Sequence, residues 1–416
     1  MTSEHVNLMR ERAGPQRVTN VELFFDLVYV FAVTQLSHFL LAGPAAGGAL
    51  RTALQAALLL IMVWQLWAYT TWVTNWLDPE RIAVRLLLLA LAVISLVMSA
   101  ALPTAFTTSG LIVGSAYLLM QVGRSTFTVL GLRGSALRRN FERILAWCVV
   151  SGLLALAGGL IHGDGRDLLW TGAVVVDLLG GAVGFYTPGL GRSRTADWTI
   201  EGGHFAERCQ AFILIAIGES IVIIGATLAE RLDQPGGVDG REVAAFCVAV
   251  ISSIAFWWLY FDRSASDATE VIAHSPDPGR LGRSAYHFIH PIMVAGIIVT
   301  AAADGATALA AGTDTAPSAW VAGLILAGPA LFLAGHAAFK ATVWRRISWP
   351  RIAAIAVLGL LGLAASHAPA LVLSGCAAAV VVAVVIADQI WPPPAEAASG
   401  DGAGSAAQVD PAPPDR

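Results

Sequence analysis

Glu22 and Asp26 sit four residues apart at the start of an apolar stretch, in the run from Val21 to His38. On a helix that spacing puts both carboxylates on one face. At ~100° per residue, Tyr29 and Ser37 fall on the same side, with Thr34 and His38 at its margin. Two carboxylates so close repel each other, an arrangement suited to proton uptake. A structural role competes with that reading, because Glu22, beside Arg17, is also placed to cap the helix start and complement its dipole.

Glu219 poses the energetic problem more sharply. It is flanked by Ile213 to Ala216 on one side and Ile221 to Ile224 on the other. An ionised side chain at the centre of a membrane helix costs at least ~2.5–3.5 kcal/mol. Glu219 is therefore expected to be protonated, hydrated in a cavity or paired with another helix. Arg208 shares its helix face but lies ~16 Å away along the axis, and Gly218 permits close approach of a neighbouring helix. Asp177, in Val174-Val175-Val176-Asp177, is a second such acid, and Arg124 is a plausible partner for one of the acids. Coupling chemistry and an Asp–Arg pair that simply fixes the bundle fit it equally.

His287 and His290 share a face just before Pro291, where the missing N–H loosens the backbone hydrogen bonding. Histidine titrates near neutral pH and can relay protons. A metal site would need more ligands than these two. The four cysteines, Cys148, Cys209, Cys247 and Cys376, form no CxxC pair and read as small buried packing residues. There is no phosphate loop, no GxSxG elbow and no HExxH, and the short basic loops lack the organisation of a nucleic-acid site. No catalytic residue, metal or cofactor is expected. The chemistry to expect is the binding of a small solute or ion, with Asp26, Glu219, Glu22, Glu207, Arg208, Asp177, His290 and His287 as candidate residues.

The elements that would hold these side chains follow from composition. Of 416 residues, 56% are hydrophobic and 13% charged, about half the usual charged share of a soluble domain. The apolar residues come in blocks of roughly 20, the length a helix needs to cross ~30 Å of hydrocarbon. We expect an all-α polytopic membrane bundle with about 12 spans, at 21–41, 52–74, 82–102, 110–132, 143–161, 168–187, 207–229, 242–262, 284–304, 318–340, 350–366 and 369–390. The last two are separated only by His367-Ala368-Pro369 and read as a tight hairpin or a broken element. Residues 1–20 read as a cytoplasmic segment without a cleavage site, and 392–416, rich in Pro, Ala and Gly, as a disordered cytoplasmic tail.

Basic residues test the count independently. With the N-terminus in the cytoplasm, only Arg51, Arg166, Arg231 and Arg241 of the 25 Lys and Arg fall on the outer side. Positive charge is retained on the cytoplasmic side during insertion, so both termini are expected there, in the inner (plasma) membrane. Weak internal similarity also emerges. Glu22 and Glu207 each open a span, and Trp67-Ala68-Tyr69 is echoed by Trp258-Leu259-Tyr260. Two parallel six-helix repeats, 21–190 and 200–391, account for this.

The stretch from Val21 to His38 closely resembles the opening signature of the bacterial low temperature requirement A (LtrA) family. His204-Phe205-Ala206-Glu207-Arg208, followed by Ile215 to Ser220, resembles it too, as does Tyr286 to His290 leading into Gly296-Ile297. The resemblance implies a multi-pass bacterial membrane protein tied by name to growth in the cold, and it carries no settled biochemical activity. It singles out Glu22, Asp26, Glu207, Arg208, Glu219 and His290. The leading expectation is a secondary transporter or channel-like protein, with proton coupling as one form, in which Asp26 and Glu219 are the coupling carboxylates and His290 a supporting relay. Its partners would be the bilayer and a small solute or ion. Two other readings stay open: a membrane-embedded enzyme acting on a lipid or isoprenoid, and a non-transporting stress or assembly factor whose buried charges only pair with one another.

Overall fold

The computed structural model describes residues 8–10, 18–44, 47–193, 202–233, 237–262, 264–275, 277–312 and 315–390. The expected tail and parts of the N-terminal segment, including Arg17, lie outside them. The described residues are helical throughout, apart from turns and the isolated bridges Met9–Leu77 and Thr187–Gly191. The first six helices are α1 (Asn20–Leu41), α2 (Gly48–Thr74), α3 (Ile82–Ala101), α4 (Gly110–Gly131), α5 (Arg138–Leu160) and α6 (Asp164–Ala182). Then follow α7 (Gly202–Leu232), α8 (Gly240–Phe261) and two short helices, α9 (Ser264–Ala273) and α10 (Pro278–Gly282). A π-helical turn over Arg283–Ile289 runs into α11 (His290–Ala310), followed by α12 (Ala319–Trp344), α13 (Trp349–Leu361) and α14 (Ala370–Ile390).

Each of the twelve expected spans is thus a helix. Among the described residues, nine helices are long and apolar enough to cross a membrane. Helices α4 and α6 have the length but fall short on apolarity, because α4 carries Gln121 and Arg124 and α6 carries Asp164, Arg166, Asp167 and Asp177. Helix α13 has 13 residues and a 3-10 turn before the chain reverses into α14, so the expected tight hairpin is present but its first arm is short. Outward faces are apolar: Leu86, Val93 and Val97 of α3 are all about half or more exposed, a surface suited to lipid rather than water. Cys148 and Cys209 are buried, whereas Cys247 and Cys376 lie on outward faces of α8 and α14. An apolar thiol is as acceptable to lipid as to a core, so composition could not separate the two.

Helix α1 lies at the centre, against α2, α3, α7 and α11. Within the first half α1 packs on α2 and α3, α3 on α4, α4 on α5, α5 on α6, and α2 on α6. In the second, α7 packs on α8 and α11, α11 on α12, α12 on α13, α13 on α14, and α8 on α14. Glycine makes the closest of these approaches possible. A Cβ on Gly296 of α11 would sit 2.4 Å from the backbone nitrogen of Phe332 on α12, and one on Gly114 of α4 would sit 2.4 Å from the carbonyl oxygen of Ala155 on α5.

Candidate functional site

At the end of the bundle where α1 begins and α2 ends, four charged or titratable side chains meet with no exposed surface. The Arg208 guanidinium of α7 grips Asp26 of α1 in a fork, with Nε donating to Oδ2 at 3.0 Å and Nη2 to Oδ1. Its Nη1 donates to Thr74 Oγ1 at 2.9 Å and lies 3.6 Å from Glu22 Oε1. Trp67 Nε1 donates to Asp26 Oδ1 at 2.7 Å, and the guanidinium lies over the Trp67 and Phe25 rings. Glu22 Oε1 lies 3.0 Å from His204 Nε2, while its Oε2 accepts from the Thr19 amide at 2.9 Å and faces Arg10 at 3.3 Å. A backbone pairing places Arg10 there: Arg10 N donates to Trp76 O and Asp78 N to Leu8 O, tying the segment to the α2–α3 turn.

The expected clash between Glu22 and Asp26 is therefore resolved by basic groups, with Arg208 between them, His204 at the same Glu22 oxygen and Arg10 at the other. The capping role expected for Glu22 is present as a capping box with Thr19, with Arg10 rather than Arg17 as its described basic neighbour. Buried bidentate pairs of this kind are costly to break and rigid while intact.

Glu219 lies apart from this network. Its Oε1 meets the Thr34 hydroxyl of α1, which also lies 3.0 Å from the Val30 carbonyl. Asp26 and Thr34 are eight residues apart on one helix, roughly 12 Å, so the two proposed coupling acids do not form one site. Glu207 is exposed, 3.4 Å from the Val18 amide. His290 points toward α8, its Nε2 2.7 Å from the Tyr260 hydroxyl. His287 points toward α2, where Trp72 Nε1 donates to its Nδ1 at 3.3 Å. The π turn widens the helix here, so the two histidines diverge from the shared face that regular α geometry gives them.

Asp177 and Arg124 are linked, but not directly. Asp177 Oδ2 accepts from Gln121 Nε2 at 2.7 Å and from the Tyr117 hydroxyl, while the Arg124 guanidinium donates to Gln121 Oε1. Gln121 thus stands between acid and base. Tyr117, Gln121 and Arg124 lie at i, i+4 and i+7, one stripe of α4, a pattern visible in the sequence once Arg124 is taken as its anchor.

The two ends of this relay, Asp177 and Arg124, line a cavity of about 450 Å³ bounded by the ends of α2 and α6, the segment 183–193 that follows α6, the inner faces of α4 and α5, and the π turn. Tyr69, Trp72, Arg124, Asp177, Arg283 and His287 face it. The volume is within the range of small-ligand sites. Of the candidate residues, only Asp177 and His287 reach it. Arg283, in the π turn, is a wall of it. No group of three or more His, Cys, Asp or Glu able to hold a metal occurs among the described residues.

A bundle of apolar-surfaced helices with buried charges and an internal cavity defines a polytopic helical membrane protein. The family is shown by comparison: the model of the bacterial low temperature requirement A protein (LtrA) matches residues 17–386, and the chain belongs to that family. It is 34% identical over 364 residues to the uncharacterized protein RA0937 of Rhizobium meliloti (strain 1021), an alignment covering 86% of each. No solved structure matches.

Proposed function

We propose that this protein is a secondary transporter or channel-like protein of the inner (plasma) membrane, moving a small solute or ion, with both termini in the cytoplasm. The cavity carries the proposal. It has room for a solute and reaches Asp177, five residues inside the end of α6, roughly 8 Å into the bundle. The helix-on-helix neighbours of the two halves match in order, which supports two parallel six-helix repeats able to rock against one another. The excess of basic residues at the cavity end supports a cytoplasmic mouth.

Glu219 supports proton coupling through hydrogen-bond arithmetic. The Thr34 hydroxyl has one hydrogen and two acceptors in reach, the Val30 carbonyl and Glu219. A protonated Glu219 donates to Thr34 Oγ1 while Thr34 donates to Val30, and both hydroxyl hydrogens are then used. The packed Asp26–Arg208 pair favours a second reading, that this network fixes the assembly of the halves and does not itself carry solute.

The test is flux into liposomes holding a pH-sensitive dye, with wild type beside Glu219→Gln and Asp177→Asn across a broad solute panel. Solute-dependent flux in wild type that drops at least tenfold in the variants is expected. Equal, background-level signals from all three proteins would remove the transport reading and leave the assembly role.

A further inference from the structure

The charges around the cavity do not balance. Arg124, Arg192 and Arg283 all line it, against the single carboxylate of Asp177. That carboxylate is engaged through Oδ2 by Tyr117 and Gln121, while its Oδ1 is buried without a hydrogen-bond partner. Arg124 is almost fully buried, and its guanidinium contacts are neutral: the Leu66 carbonyl at 3.3 Å, the Thr70 hydroxyl, Gln121 and the Tyr69 ring. Arg283 donates Nη1 to the Gly181 carbonyl at 3.2 Å, while its Nε is buried without a hydrogen-bond partner. Neither arginine has a carboxylate within ion-pair distance among the described residues. A buried guanidinium stays charged and is stable only when an anion or a full set of acceptors meets it. Elsewhere in the second half the usual solution is seen, where buried Arg351 is clasped by Asp388 at 2.6 and 3.1 Å.

Much of the rest of the wall is aromatic, from Tyr69, Trp72, Phe141, Phe185 and Phe288, with His287, Ser125 and Ser193 as its other polar residues. We infer that the cavity binds a small amphipathic organic anion, its carboxylate or phosphate on Arg283 and Arg192 and its apolar body against the aromatic wall. The planar guanidinium fork matches such oxyanions bidentately, and the aromatic faces supply the area that orients the remainder. This rests on the transport proposal for its biological meaning, but the binding step stands by itself.

The test therefore measures binding, not flux. The full-length protein in an uncharged detergent is titrated with 4-phenylbutyrate and with phenyl phosphate, following intrinsic tryptophan fluorescence and equilibrium dialysis. The neutral 4-phenylbutyramide and the cationic 4-phenylbutylamine are run alongside. Anions are expected to bind at least tenfold more tightly than the amide, and the amine not at all. Arg283→Gln should weaken the anions tenfold or more and leave the amide unchanged. Arg283→Lys, which keeps the charge, should recover part of the loss and guards against misfolding in the first variant. Arg51→Gln, at the other end of the bundle, should change nothing.

Equal binding of anion and amide, loss of both in Arg283→Gln while Arg283→Lys matches wild type for neither, or no binding of any probe at millimolar concentration overturns the inference. Competition by phosphatidylglycerol but not phosphatidylcholine assigns the oxyanion to a lipid headgroup, and its absence assigns it to a free solute; both retain the anion. Binding without flux in liposomes keeps this inference and removes the transport proposal.

Discussion

The indole of Trp64 on α2 donates a hydrogen bond of 2.8 Å to the backbone carbonyl of His287. In a regular α-helix that carbonyl would accept from residue 291, and Pro291 has no N–H to give. A side chain from the first half of the chain thus completes the backbone of the second, beside the cavity. It also locks the turn that aims His287 at Trp72.

Trp64→Phe keeps most of the ring and deletes the donor. It should cost about 1–3 kcal/mol, the penalty of a buried unsatisfied carbonyl. Pro291→Ala returns an N–H to the helix, so the same Trp64→Phe change should cost less in that background. A double-mutant cycle from thermal melts of purified protein measures the difference, and additive costs would refute the compensation.

Removing one partner of the Asp26–Arg208 fork strands a buried charge. Arg208→Ala is expected to destabilise by roughly 3–5 kcal/mol, and Arg208→Lys to restore little of it, because an ammonium cannot reproduce the fork while also reaching Thr74. The double replacement Asp26→Leu with Arg208→Met should melt above either single variant. Expression level and melting temperature in detergent read this directly.

Glu219→Gln reproduces the hydrogen-bond pattern of a protonated carboxyl, with its amide donating to Thr34 Oγ1. Stability should stay within about 0.5 kcal/mol of wild type, the range of neutral substitutions, while any proton dependence of flux disappears. A melt lowered well beyond that range would show that an ionised Glu219 is part of the folded state.

Gly296→Ala drives a methyl group against the backbone of Phe332, which cannot swing aside as a side chain could. A loss of about 1–3 kcal/mol is expected from overpacking. Gly323→Ala on α12, where a Cβ meets nothing within 4 Å, should be neutral. Comparable melts for the two variants would show that α11 and α12 are not in the close contact described.

Orientation can be read chemically. In intact cells, a membrane-impermeant maleimide should label cysteine placed at Asp164, the first residue of α6, and spare cysteine placed at Glu80, in the α2–α3 turn. The reverse pattern would invert the proposed topology.

The sequence alone determined the helical architecture and the positions of the helices at all twelve expected spans, because a helix in lipid satisfies its backbone internally and most of these runs are apolar enough to stand out. It also marked Glu22, Asp26, Arg208, Glu219 and Asp177, since a charge in an apolar run is conspicuous at once. What each charge meets was decided only by tertiary structure. Arg208 and Asp26 are 182 residues apart, and nothing local distinguishes that pairing from one between Arg124 and Asp177, where Gln121 intervenes instead. The cavity was equally hidden: it is a gap between six segments, and a gap leaves no periodicity in the chain. Helix propensity and hydropathy are properties of neighbours in sequence, whereas charge compensation and empty space depend on which faces the folded bundle turns toward one another.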